Sequence, residues 1–191
     1  MASQIDPMVP TVKALILLDD EGKRIAVQYF AEEWKHSVGA QSNFEKSVYA
    51  KTSRTNARGE PEVIMFDDVV VTYKFIGDLM FYVVGHADEN EIVLANVLVG
   101  FYDSVAMLLR NAVEKKTVLE NLDLVLLCMD ELAEGGLILE TDPTVIATRV
   151  TMRQGEGSAE EMAMAMENPG LQSLSVAFGN VKEQLARSLL K

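Results

Sequence analysis

The sequence predicts an α+β domain, and three observations carry that prediction. Two β-rich stretches near the start flank a polar glycine turn, three more follow a single helical stretch, and two long amphipathic helical runs come after them. Helices that follow an antiparallel sheet as a block cover it, whereas a parallel sheet would alternate strand with helix. A chain of 191 residues is long enough for one full core plus an appendage.

Val12 to Leu18 opens the sheet as an almost unbroken apolar run, the pattern of a strand buried on both faces. Asp19-Asp20-Glu21-Gly22-Lys23 is a polar turn, and Arg24 to Phe30 returns as the second strand. Ser42 to Asn56 reads as a helix with Phe44, Val48 and Tyr49 facing inward and Ser42-x-x-Glu45 as its capping box. Arg58-Gly59-Glu60-Pro61 ends it. Glu62 to Phe66, Val69 to Phe75 and Leu79 to Val84 are dense in Val, Ile, Phe and Tyr. Asp67-Asp68 and Ile76-Gly77-Asp78 separate these runs, so the three form an antiparallel meander.

The first long helix is expected to be capped by Asp88-x-x-Glu91. Leu94, Leu98, Phe101, Val105, Leu108 and Ala112 run along it at spacings of four and three. The second lies within the stretch Thr117 to Pro143 and has both its ends marked. Thr117 and Glu120 form a capping box, Val118, Leu122, Val125, Met129 and Leu132 make the stripe, and Leu119, Leu126 and Ala133 widen it. Gly135-Gly136 supplies the C-terminal cap and Asp142-Pro143 breaks the chain. Leu137 to Glu140 is a short extended or turn segment, and Pro143 to Val150 a last short helix. From Arg153 the composition shifts to Gly, Ser, Glu and Met, which reads as a flexible linker over 153–170. An amphipathic helix over 171–191 follows, with Leu171, Leu174, Phe178, Val181, Leu185 and Leu189 on one side. Residues 1–10 form an N-terminal tail and 11–152 the domain.

Composition narrows the function. A net charge of −12 argues against a general nucleic-acid binder, which needs clustered Lys and Arg to displace counterions. The single cysteine, Cys128, falls within the helix stripe and reads as a small buried hydrophobe. The N-terminus has neither a signal-peptide pattern nor Gly at position 2, and the C-terminus has no CaaX box. Ile92 to Tyr102 is the greasiest run and falls short of the ~20 residues that span a bilayer, so any membrane role is expected to be peripheral.

A search for chemistry finds no phosphate-binding loop, no GxSxG elbow and no HExxH helix. His36 and His86 sit in separate segments without metal-ligand spacing. Asp19-Asp20-Glu21 and Asp67-Asp68 have turn composition and read as turn carboxylates before cation ligands. No catalytic, cofactor-binding or metal-ligating residue is assigned. Lys46, Lys51, Arg54 and Arg58 cluster on and just after the first helix of an otherwise acidic chain. They read as a solvated helix face, or as a contact for an acidic partner or lipid headgroups.

Four segments carry a resemblance. VKALILLDDEGKRIAVQYF, VTYKFIGDLMFYVVGHADENEIVLANVL, FYDSV and VEKKTVLENLDLVLLCMDELAEGGLILETDP resemble the zeta chains of coatomer, the COPI vesicle coat, from about Thr11 to Arg153. The tail VKEQLARSLLK is similar to the last helix of zeta chains. Clathrin-adaptor sigma subunits share the fold but usually not the pattern GGLILETDP.

The resemblance implies a longin-like fold, a five-stranded antiparallel sheet with helices on both faces. It also implies a non-enzymatic subunit clasped by the large gamma subunit, joined through it to beta and delta, and recruited to Golgi membranes by an Arf-family GTPase. No cofactor is implied. Part of the aliphatic surplus in Leu94 to Leu109 and Leu119 to Leu132 would then face gamma. A sigma-type adaptor subunit is the alternative. A SNARE-type longin protein would need a ~60-residue heptad array after the domain, and too few residues remain.

Overall fold

A computed structural model describes residues 9–153, apart from Asn56 and Asp67. The expected linker beyond Arg153, the helix over 171–191 and most of the N-terminal tail lie outside the described residues. Residues up to Val150 form one unit, and of the rest only 151–153, which are helical, are described.

Five strands make one antiparallel sheet: β1 (Ala14–Asp19), β2 (Arg24–Tyr29), β3 (Glu62–Phe66), β4 (Val69–Ile76) and β5 (Leu79–His86), in the order β2-β1-β5-β4-β3. The opening hairpin and the later meander meet where β1 pairs with β5, from Ala14 opposite Val84 to Asp19 opposite Leu79. That join puts β1 and β5 side by side in the interior of the sheet. Both are buried on both faces, as the unbroken apolar run of β1 predicts. Side chains alternate between two cores. Leu15 and Leu17 of β1 with Phe81 and Val83 of β5 enter one, and Ile16 and Leu18 with Tyr82 and Val84 enter the other.

The second core is closed by α2 (Val38–Thr52), preceded by a short α1 (Glu32–Lys35) that the sequence pattern did not reveal. α2 starts four residues before the expected Ser42. Ser37 is the cap, its side chain accepting from the Ala40 amide at 3.3 Å, and Ser42 lies inside the helix. Either serine has suitable chemistry. The upstream one wins because Gln41, once helical, is buried and donates from Nε2 to the Trp34 carbonyl at 2.8 Å. Phe44 and Val48 face inward as expected.

The first core is closed by α3 (Glu91–Leu108), α4 (Lys115–Glu120) and α5 (Leu122–Leu132). Asn90, not Asp88, caps α3, accepting from the Ile92 amide at 2.9 Å. The helix stops at Leu108, because Arg110 and Asn111 take left-handed dihedrals, so Ala112 leaves the stripe and is exposed. By length and mean hydropathy of 1.6, α3 passes for a membrane span. Its apolar side chains are used on the sheet instead: Leu94, Leu98, Phe101 and Val105 are all fully buried.

The expected continuous helix after Thr117 is two helices. α4 begins at Lys115, whose amide donates to Oδ1 of Asp78 in the β4–β5 turn at 2.8 Å, so a side chain from another element supplies the cap expected of Thr117. The chain breaks at Asn121, whose side chain donates to the Thr117 carbonyl at 2.8 Å. Gly135 and Gly136, both at positive φ, turn a hairpin between β6 (Ala133–Glu134) and β7 (Leu137–Ile138) instead of capping the helix. Asp142 then caps a final helix over 143–150, accepting the Thr144 amide at 2.8 Å, with Pro143 at the first helical position that tolerates it.

A candidate docking surface

The groups most able to do chemistry are used structurally. Asp19 is buried at the β1–β2 turn. Its Oδ1 accepts the Lys23 and Glu21 amides at 2.8 and 3.0 Å, and its Oδ2 takes the Lys115 ammonium at 2.7 Å. Burial opposes its charge, but the bond to Lys115 and the two amides outweigh that and hold the carboxyl below its ordinary value. The turn is thereby clipped to α4.

Cys128 is fully buried and donates to the Ser104 hydroxyl at 2.8 Å, since Ser104 itself donates to the Gly100 carbonyl at 2.6 Å. Burial pushes the thiol up to about 12, so it stays protonated and inert. His36 and His86 lie on separate exposed segments, and among the described residues no group of three His, Cys, Asp or Glu converges as metal ligands would. Asp67 lies outside the described residues.

What the domain does present is two contrasting outer surfaces. On the α3–α5 side, apolar side chains remain uncovered: Ile92 is 66% exposed, Met107 47%, Leu119 50% and Leu126 40%. Leu119 and Leu126, which spacing alone adds to the inward stripe, point outward: each lies about 100° round from a buried valine, Val118 and Val125, and the buried arc widens to the other side, through Cys128 and Glu131. Glu120 and Asp130 are exposed on the same two helices, giving the apolar residues an acidic rim.

The α2 side is different. Lys46, Lys51, Arg54 and Arg58 are all exposed, as the sequence cluster suggests. The Lys51 ammonium sits 4.0 Å from the Phe66 ring centroid, and Arg58 donates to the Gly77 carbonyl at 3.2 Å. The only acid of α2, Glu45, points inward. Its carboxylate takes Arg24 at 2.6 and 3.2 Å and the Tyr29 hydroxyl at 2.8 Å. Burial and the neighbouring Glu45 charge raise the Tyr29 phenol well above its usual range, so it remains a donor. This triad was not legible in the sequence, because Tyr29 and Arg24 lie 16 and 21 residues before Glu45, on β2 and not on its own helix.

The model of the clathrin adaptor complex small chain family matches residues 11–157. Coatomer subunit zeta-2 of Arabidopsis thaliana is 49% identical over 181 residues, which cover 95% of this chain and 96% of that one. Coatomer subunit zeta-1 of Bos taurus is 36% identical over 187 residues, 98% and 97% of the two chains. The fold is also similar to a chain in a homology model of the full-length AP-3 complex in a stretched open conformation. There the TM-score is 0.59 at 15% identity, over 80% of this chain and 98% of that one. The chain belongs to the clathrin adaptor small-chain family and, within it, to the zeta subunits of coatomer.

Proposed function

We propose that this chain is a non-catalytic structural subunit of the coatomer coat, held directly by the large gamma subunit and serving retrograde Golgi-to-endoplasmic-reticulum and intra-Golgi transport. The observation that carries the reading is 49% identity to a coatomer zeta chain along nearly the whole of both chains. The family model and the AP-3 likeness fit a sigma-type adaptor subunit less specifically, because zeta chains share both.

The surface supports the same reading. Permanent assemblies typically bury more than about 2,000 Å², and their interiors are apolar. Ile92, Met107, Leu119 and Leu126 offer apolar contacts on the layer where the sequence has a surplus of aliphatic residues. A solenoid that covers this layer transmits load by shape, which asks for rigidity and not for turnover. Beta, delta and the remaining coat subunits are reached through gamma. An Arf-family GTPase then acts on this chain only indirectly, at the cytoplasmic face of Golgi membranes and COPI vesicles.

Affinity capture of the tagged full-length chain from cells, with identification of the co-purifying large subunits, tests this. Coatomer gamma, beta and delta are expected. Adaptin large chains in their place would move the chain to the sigma-type reading.

A further inference from the structure

The net value hides a contrast in charge between α2 and the α3–α5 layer. Residues 38–58 hold four basic side chains and one acid, whereas residues 88–142 hold twelve acids and three basic side chains. The first stretch is α2 and its C-terminal turns, over the second core. The second is the α3–α5 layer with its connections, over the first core.

With Glu45 turned inward, the exposed arc of α2 carries no negative charge. Asn43, Lys46, Ser47, Ala50 and Lys51 are all exposed and, at 100° per residue, fall on one continuous side of the helix; Arg54 continues it past the helix end. Lys46, Lys51, Arg54 and Arg58 pair with no carboxylate among the described residues. Most of the other described cations do, including Lys13, Arg24, Lys115 and Arg149.

We propose that the outer arc of α2 is a contact surface for the anionic headgroups of a membrane. Three features favour lipid over an acidic protein segment. A stereospecific acidic peptide calls for donors already ordered by neighbours, whereas Lys46 and Arg54 are long, exposed side chains on a convex helix face with no carboxylate partner among the described residues. A fluid anionic surface needs only a local density of uncompensated positive charge.

Secondly, a chain of net charge −12 is repelled by a negative surface unless it is oriented. The basic arc of α2 supplies that orientation, with the acidic α3–α5 layer turned away across the sheet and the exposed acids Glu32 and Glu33 of α1 offset from the arc in sequence. Thirdly, α2 lies across the sheet from Leu119 and Leu126, so a large chain seated there leaves the basic arc uncovered. The proposal goes beyond the coat reading and holds whichever large chain is the partner.

Co-sedimentation of the full-length chain tests it, using phosphatidylcholine vesicles with and without about thirty per cent phosphatidylserine at low ionic strength. Selective retention on the anionic vesicles is expected, falling as salt screens the contact. At about a factor of five per basic side chain, K46Q/K51Q/R54Q lowers partitioning roughly a hundredfold without changing thermal unfolding. R110Q/K116Q, which removes positive charge from the opposite layer, stays near wild type.

No preference of the wild-type chain for anionic vesicles overturns the proposal, as does equal loss in both variants. If the triple variant keeps its vesicle binding but no longer co-purifies with large coat chains, the arc is an acidic-protein contact and the lipid surface is wrong. Wild-type co-purification with those chains is read separately, so the coat reading stands or falls on its own.

Discussion

The two sides of the sheet reach stability by different chemistry, and the difference shows on their outer surfaces. The α3–α5 side is almost wholly aliphatic inside, with Phe101 meeting Phe81 edge-on at 5.1 Å between ring centroids. The α2 side is aromatic and partly polar inside. Phe44 packs against Trp34 and Phe66, Tyr82 donates to Thr52 at 2.8 Å, and Glu45 gathers Arg24 and Tyr29. Outside, the pattern inverts: the aliphatic layer has uncovered Leu and Met with an acidic rim, and the aromatic layer has the exposed basic arc of α2. One small domain can therefore offer an apolar seat to one neighbour and a charged face to another without either intruding on the other.

Truncation in the aliphatic core is the severest test of this division. Phe101→Ala removes a fully buried ring from the middle of α3 and costs about 3–5 kcal/mol, read from urea unfolding midpoints. Phe44→Ala belongs at or below the lower end of that range, since Phe44 keeps 8% of its surface exposed and borders solvent. Equal losses would mean that the two cores are not distinct in tightness.

Next in size is Glu45→Ala, which leaves the Arg24 guanidinium and the Tyr29 hydroxyl without their acceptor. Arg24 is 32% exposed, so water compensates part of the loss, and about 2–3 kcal/mol is expected. A loss under about 0.5 kcal/mol would show that the triad is an ornament of a core held by aromatic packing alone.

Gly100 tests how the aliphatic layer is closed. A Cβ there would come 2.6 Å from the Thr141 carbonyl oxygen and 3.2 Å from the Thr141 Cα, both backbone atoms of the crossing segment. Gly100→Ala must displace that segment and costs about 1–3 kcal/mol, although alanine is the better helix former. An unchanged midpoint would mean that residues 139–142 move aside freely.

These elements also show where sequence reasoning reaches and where it stops. The strands, their grouping and the inward positions of Leu94, Leu98 and Phe101 were legible, because a period of two or of 3.6 is a local property of the chain. Helix starts were read two to five residues off at Ser42, Asp88 and Thr117. In the last case the true cap comes from Asp78, 37 residues away, and no local pattern encodes that. Leu119 and Leu126 were given the wrong side because periodicity does not say on which flank a stripe widens: the buried flank holds Cys128 and even Glu131, and the leucines are left outside. The basic cluster was visible, but that its cations pair with no carboxylate among the described residues while Glu45 is consumed internally required coordinates.

Acid should loosen the corner that joins the first hairpin to α4. The Asp19 carboxyl is held below its ordinary value, so the folded state binds that proton less readily than the unfolded chain does. Its contribution is complete above the ordinary carboxylate value of 3.8 and is lost as pH falls below it toward the lower folded value. Asp19→Asn should therefore narrow the gap between the wild type's unfolding midpoints at about pH 5.5 and about pH 3. An undiminished gap in the variant would assign the acid sensitivity elsewhere.

The smallest expected effect on stability is the most telling for function. Leu119→Ser and Leu126→Ser replace side chains that are half or nearly half exposed, so together they should lower the unfolding free energy by no more than about 1 kcal/mol. Were these residues core members, as helical spacing alone suggests, the pair would cost several times that. The same double variant should lose capture of the large coat chain, because apolar anchors near the centre of an interface carry most of its energy. Stability retained with capture lost marks a seat for a partner. Stability and capture both retained would place the partner's contacts elsewhere and leave the uncovered leucines as ordinary surface.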